Sequence, residues 1–226
     1  MPGPRGRGER RLEDALSALA GALERAPLTW MVVGGIAIIA RGVRRMTTDI
    51  DAVVAGGSID ARALLELLST AGIEPRIADA EAFARRNLVL LLRHVATGVD
   101  LDVSFGWSSF EQAALARRTR AAYGRTRVPM ATAADLVVFK LIAARAKDLE
   151  DADSLLLLHP DIDTRRVRHD LAELADLAGA PELVKALDAL LASGGNRPRP
   201  VRSRSDSRTK SAIAASNSRR KRLPHK

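Results

Sequence analysis

The sequence predicts an α/β fold through about residue 130, followed by a part built from helices alone. Two observations carry this. Up to Pro129, apolar runs of strand length bounded by glycine alternate with segments whose apolar residues recur at helical spacing. From Thr132 to Ala192 only the helical pattern remains. A chain of 226 residues has room for one catalytic-sized domain with a helical extension.

Each element has its own signal. Residues 1–10 are rich in Gly, Pro and Arg and are expected to be disordered. Leu12 to Arg25 places apolar residues at 12, 15/16, 19 and 22/23, a helix that Pro27 ends. Thr29–Val33 reads as a strand, Ile36–Arg41 as a short helix and Asp49–Ala55 as a strand that turns at Gly56-Gly57. Ser58 is placed to cap a helix over Ala61–Ala71, with Leu64, Leu65, Leu67 and Leu68 inward. Asp79–Arg86 reads as a further short helix. Leu88–Val95 and Val99–Phe105 form a hairpin through Thr97-Gly98. Trp107–Arg118 is helical, and Ala121–Val128 is a single edge strand leading to Pro129. Thr132 opens an apolar helix over Ala133–Ala146, and helices over Leu149–Leu158, Thr164–Leu177 and Pro181–Ala192 follow. The expected divisions are a disordered 1–10, a core over 11–130, a helical part over 131–193 and a disordered basic tail over 194–226. There is no internal repeat.

Composition excludes several classes. With no cysteine there is no disulfide, thiolate zinc site or cysteine nucleophile. One Tyr, two Trp and four Phe leave the core to aliphatic residues and argue against base-stacking on single strands. Trp30 is expected in the core. The basic N-terminus has no apolar segment behind it, and Leu28–Ala40 is too short to span a bilayer, so a cytoplasmic protein without a membrane segment is expected. The four histidines are scattered without metal-ligand spacing. The formal charge of +9 is uneven: Asn196–Lys226 holds 11 Lys/Arg and one acid, leaving residues 1–195 near neutral. Such a tail would bind polyanions without sequence specificity, or simply remain solvated.

The chemistry concentrates in VVGGIAIIARGVRRMTTDIDAVV, Val32 to Val54. Asp49 and Asp51, at i and i+2 on a strand, point to one side of the sheet. Among apolar neighbours they repel each other and lose hydration, an arrangement that suits a hard cation with oxygen ligands. Gly34-Gly35 ahead of a helix offers backbone N–H groups to phosphate. Asp100 and Asp102 repeat the i, i+2 pattern in VDLDV.

The pattern Gly34-Gly35-x-Ala37, Arg44 or Arg45, Thr47 or Thr48, then Asp49-Ile50-Asp51 resembles the minimal nucleotidyltransferases of the polymerase-β type, over roughly residues 28–155. The thirteen residues from Ile36 to Thr48 match the branch with a double glycine better than the Gly-Ser branch. The nearest branches in motif are the AbiEii-like toxin enzymes and the aminoglycoside and lincosamide nucleotidyltransferases. The resemblance implies a mixed sheet with flanking helices and three carboxylates that bind two Mg²⁺. It also implies transfer of a nucleoside monophosphate from an NTP with release of pyrophosphate.

Carried onto this sequence, the resemblance makes Asp49, Asp51 and Asp100 the catalytic and metal-binding set, with Asp102 the rival of Asp100. Gly34, Gly35, Arg45, Thr48 and Lys140 are the nucleotide-binding candidates. Lys140 stands out because it interrupts a helix that is apolar almost all round. Arg44, Lys147 and Asp148 are further candidates, the last two within a run, Lys147-Asp148-x-x-Asp151, similar to one in the toxin branch. Arg44 and Arg45 also read as a solvent-facing loop, and Thr47 and Thr48 as the start of a strand. The toxin-like features favour an RNA acceptor such as the tRNA 3′ end, with a cognate antitoxin or toxin as partner. Transfer to a small molecule such as an aminoglycoside, transfer to a protein, and a non-catalytic protein, either a nucleotide-binding regulator or an antitoxin-like partner, are the alternatives. Neither the base of the NTP nor the oligomeric state is encoded in these motifs.

Overall fold

The computed structural model describes residues 6–194; the expected disorder of residues 1–5 and the basic tail from 195 on lie outside the described residues. Helix α1 (Arg7–Leu23) starts earlier than the glycine-rich composition suggested, with Gly6 in extended conformation before it and Glu9 in its first turn. Residues 7–10 are therefore helical. Its apolar stripe, Leu12, Leu16, Leu19 and Leu23, is buried as its spacing requires.

Strand β1 (Trp30–Val33) runs into helix α2 (Gly34–Ala40), and a loop returns to β2 (Asp49–Ala55). Helix α3 (Ala61–Ser69) is capped by Asp60, which accepts from the Ala63 N–H, and not by Ser58. The Ser58 hydroxyl instead donates to the Ala55 carbonyl in the preceding turn. Strand β3 (Ile73–Pro75), helix α4 (Ala80–Asn87), β4 (Val89–His94), β5 (Val99–Gly106) and α5 (Ser109–Arg117) follow. Trp30 is in the core, whereas Trp107 lies before α5 and is largely exposed, because a Ser108–Glu111 capping box opens the helix after it.

The single edge strand expected over Ala121–Val128 is a hairpin: β6 (Thr119–Tyr123) and β7 (Thr126–Met130) pair antiparallel about Gly124, whose φ of +68° permits the turn. The long helix expected to Ala146 is broken. Helix α6 (Ala133–Ala143) stops at Ala144, which adopts φ +53°, and α7 (Ala146–Leu158) starts afresh. Helices α8 (Thr164–Ala178) and α9 (Glu182–Gly194) complete the described residues.

Among these residues the seven strands form one mixed sheet in the order β3-β4-β5-β2-β1-β7-β6. The pairs β2–β5 and β1–β7 are parallel and the others antiparallel. In β5, Leu101 and Val103 are buried while Asp100, Asp102 and Ser104 are half-exposed, so one face of the strand is core and the other is open. Helix α1 packs across β2, β5 and β7, and α2 lies between the sheet and α6. A buried ion cluster ties the helices together: Asp135 of α6, fully buried, accepts from Arg117 of α5 at 2.7 Å and Arg166 of α8 at 2.9 Å. None of the described helices is long and apolar enough to cross a membrane.

Candidate active site

The site is built where β1 ends and β2 begins. Val33 pairs with Asp51, so the next residue, Gly34, sits directly against that carboxylate. A Cβ at Gly34 would lie 1.8 Å from Asp51 Oδ2, and its φ of +58° independently excludes most side chains. The Gly35 N–H donates to Asp51. A Cβ at Gly35 would lie 2.3 Å from Thr47 Oγ1, so both glycines exist for close approach. The Thr47 hydroxyl donates to Asp49 Oδ1 at 2.7 Å. Thr47, more than Thr48, is therefore the threonine at the carboxylates. Thr48 is exposed and, together with Thr47, Arg45, Met46 and Tyr123, lines a cavity of about 620 Å³.

The parallel β2–β5 register places Asp49 beside Asp100 and Asp51 beside Asp102. All four expected carboxylates thus share one face of two adjacent strands. Burial pushes the Asp51 carboxyl up to about 6, and the charges of Asp49 and Asp102 add to this; Lys140 and the Gly35 N–H pull the other way. A carboxylate so crowded is one that a cation would relieve.

The β5 pair is already neutralised. Arg93 of β4, directly across from Asp100, donates to it at 2.7 Å. That bond, with the charges of Arg76 and Arg93, holds the Asp100 carboxyl below the usual carboxylate range against the opposing effect of burial. Arg76 ion-pairs with Asp102 and reaches Asp100 at 3.5 Å. Among the described residues no three acidic or histidine side chains converge, as they stand, to hold a metal.

The donor set nevertheless fits a hard cation: among the described residues no guanidinium is ion-paired to Asp49 or Asp51, although the charge of Arg145 bears on both, and Asp102 is the neighbour of Asp51 in register. Asp49, Asp51 and Asp102, with Asp100 beside them, are the residues that would hold it.

Lys140 is buried and bridges Asp148 at 2.7 Å and Asp151 at 3.1 Å, and Arg45 pairs with Asp151. Arg145 donates to Asp148 at 2.5 Å. Burial alone would raise the Asp148 carboxyl, but bonds from Arg145 and Lys140 overcome it and bring it down to about 2. This knot fastens the loop before β2 to α7. Arg44 and Lys147 are exposed on the loop and on the first turn of α7.

Sequence reasoning missed Arg76 and Arg93. The Thr97-Gly98 hairpin carries the signal for Arg93, since its register sets residue 93 opposite residue 100. Arg76 has no comparable local signal, because it follows a strand of three residues.

A family model described as "nucleotidyltransferase of unknown function (DUF6036)" matches residues 10–182. No curated protein matches. Among solved structures, the solution structure of the antibiotic-resistance factor ANT(2'')-Ia is 20% identical, with 77% of this chain and 94% of that one covered at a TM-score of 0.49. An antigenic nucleotidyltransferase-like protein from Paracoccidioides brasiliensis is 20% identical, covering 82% and 95%, at 0.48. The crystal structure of ANT(2'')-Ia in complex with adenylyl-2''-tobramycin is 17% identical, covering 82% and 97%, at 0.42.

Proposed function

The chain belongs to this DUF6036 nucleotidyltransferase family, and we propose that it moves a nucleoside monophosphate from an NTP to an acceptor hydroxyl, releasing pyrophosphate. The observation that carries the reading is the pairing of Asp49-x-Asp51 in register with Asp100-x-Asp102, with Gly34 cleared of a side chain beneath Asp51. Asp49, Asp51 and Asp102 would hold Mg²⁺, two ions by the motif resemblance. Bound there, Mg²⁺ would neutralise charge on the triphosphate and acidify the acceptor hydroxyl.

The chain's own groups do the rest. The Thr47 hydroxyl orients Asp49 and the Gly35 N–H orients Asp51. Asp102 is preferred to Asp100 as the third ligand because it is the β5 carboxylate whose charge bears on Asp51. Arg93, bonded to Asp100 at 2.7 Å, holds that carboxylate in its charged form and occupies one of its oxygens. Gly34, Gly35, Arg45, Thr48 and Lys140 form the proposed nucleotide-binding set, and the charge of Lys140 already reaches Asp51.

For the acceptor we propose RNA, such as a tRNA 3′ end, in a toxin–antitoxin setting. The motif resemblance around Asp148 and Asp151 supports this, as does the basic composition of Asn196–Lys226. The test is incubation with Mg²⁺, each α-³²P-labelled NTP and total RNA, with aminoglycosides and cellular protein as separate acceptors. Label in RNA with wild type, absent from Asp49→Ala/Asp51→Ala, is the expected result. Label in a drug or a protein instead would overturn the RNA assignment. Absence of pyrophosphate release with every acceptor class would overturn the catalytic role of this constellation.

A further inference from the structure

We infer that Arg76 is the resident counter-cation of the metal site: it holds Asp102 in the metal-free protein and yields that carboxylate when a divalent cation binds. The inference rests on the reading of Asp49, Asp51 and Asp102 as metal ligands. The Arg76 N–H donates to the Leu91 carbonyl at 3.0 Å, which fastens its main chain to β4. Leu91 is the residue opposite Asp102, so the Arg76 guanidinium extends across one strand onto the carboxylate next to Asp51.

Asp100 does not need Arg76, because Arg93 binds it at 2.7 Å and Arg76 approaches only to 3.5 Å. Asp102 has Arg76 as its ion-pair partner. The four aspartates less the two guanidiniums leave a formal charge of −2, enough for one divalent ion. A fuller complement of metal needs the oxygens that Arg76 occupies. The Arg76–Asp102 pair is half-exposed, and such pairs are weak enough for a dication to displace.

The rival role is a structural brace that holds β5 in place for the metal. The two roles predict opposite signs. If Arg76 competes with metal, its removal tightens metal binding; if it braces, removal leaves binding unchanged or weakens it.

The experiment is titration of the full chain with Mn²⁺ alone, without nucleotide, reading free Mn²⁺ by EPR at low salt. Arg76→Gln is expected to bind Mn²⁺ about two- to fivefold more tightly than wild type, the range set by a half-exposed pair. Arg93→Gln should change affinity less. Arg76→Lys keeps the charge but loses the planar fork. It should shift affinity in the same direction by less, and serves if the glutamine variant does not fold. Unchanged or weaker binding in the Arg76 variants, with Asp51→Asn weakened, overturns the inference and leaves the metal site standing. Asp51→Asn binding as well as wild type overturns the metal site itself.

Discussion

Asp51→Asn should inactivate the protein and stabilise it. In the fold the Asp51 carboxyl is pushed up to about 6 from its ordinary 3.8, first by burial and then by repulsion from Asp49 and Asp102. At about 1.4 kcal/mol per tenfold change in proton affinity, that gap sets a ceiling of about 3 kcal/mol. Asp51 is half-buried, so solvent screening brings the expectation to about 1–3 kcal/mol.

The sign follows from linkage. Below pH 3.8 the carboxyl is protonated in both states and imposes no cost; the stability is lost as pH rises through about 6. Asparagine keeps an oxygen for the Gly35 N–H and turns an amide donor toward the neighbouring carboxylates. The assay is thermal and urea unfolding in EDTA at pH 5 and pH 8. At pH 8 the variant should melt about 2–12 °C above wild type, at roughly 2–4 °C per kcal/mol for a fold of this size. At pH 5 the gap should narrow. Adding Mg²⁺ at pH 8 should raise the wild-type midpoint and leave the variant in place. A variant no more stable than wild type at pH 8, or a gap independent of pH, would refute the reasoning.

Three further outcomes follow from the geometry. Gly34→Ala should abolish nucleotide transfer and cost about 1–2 kcal/mol for the positive φ, with a further loss from the 1.8 Å approach to Asp51; Gly34→Ala/Asp51→Ala should recover that second part in a double-mutant cycle, and strict additivity would contradict the contact. Asp135→Ala strands Arg117 and Arg166 around a fully buried position and should cost about 3–5 kcal/mol in urea unfolding. Lys140→Met should destabilise by about 3 kcal/mol at pH 7; since the Asp148 carboxyl is brought down to about 2 from its ordinary 3.8, its contribution is present above pH 4 and fades toward pH 2, so the difference between variant and wild type should shrink over that window.

The strands that carry the site were the most legible part of the chain. The two aspartate pairs announced themselves because their alternation with Ile50 and Leu101 is a strand pattern with one polar face. Their mutual register was not legible, since parallel pairing between distant segments leaves no local trace. It is the register that sets Asp102 against Asp51 and gives Asp100 to Arg93. The break at Ala144 was hidden for a similar reason. Alanine favours helix, and the interruption accompanies ties that Lys140 and Arg145 make to Asp148 across the joint. The hairpin at Gly124 had a signal, a glycine between two β-forming runs, but Pro129 drew the boundary to the wrong place.

The order in which the site is made follows from the β2–β5 pairing. Asp49 and Asp51 leave the ribosome well before Asp100 and Asp102, and between them lie α3, β3, α4 and β4. Until β5 closes that long loop onto β2, the first carboxylate pair has neither its neighbours nor Arg76 and Arg93. A nascent or partly unfolded chain therefore lacks the assembled donor set, and on the proposed reading of these carboxylates affinity for a divalent ion would report completed folding.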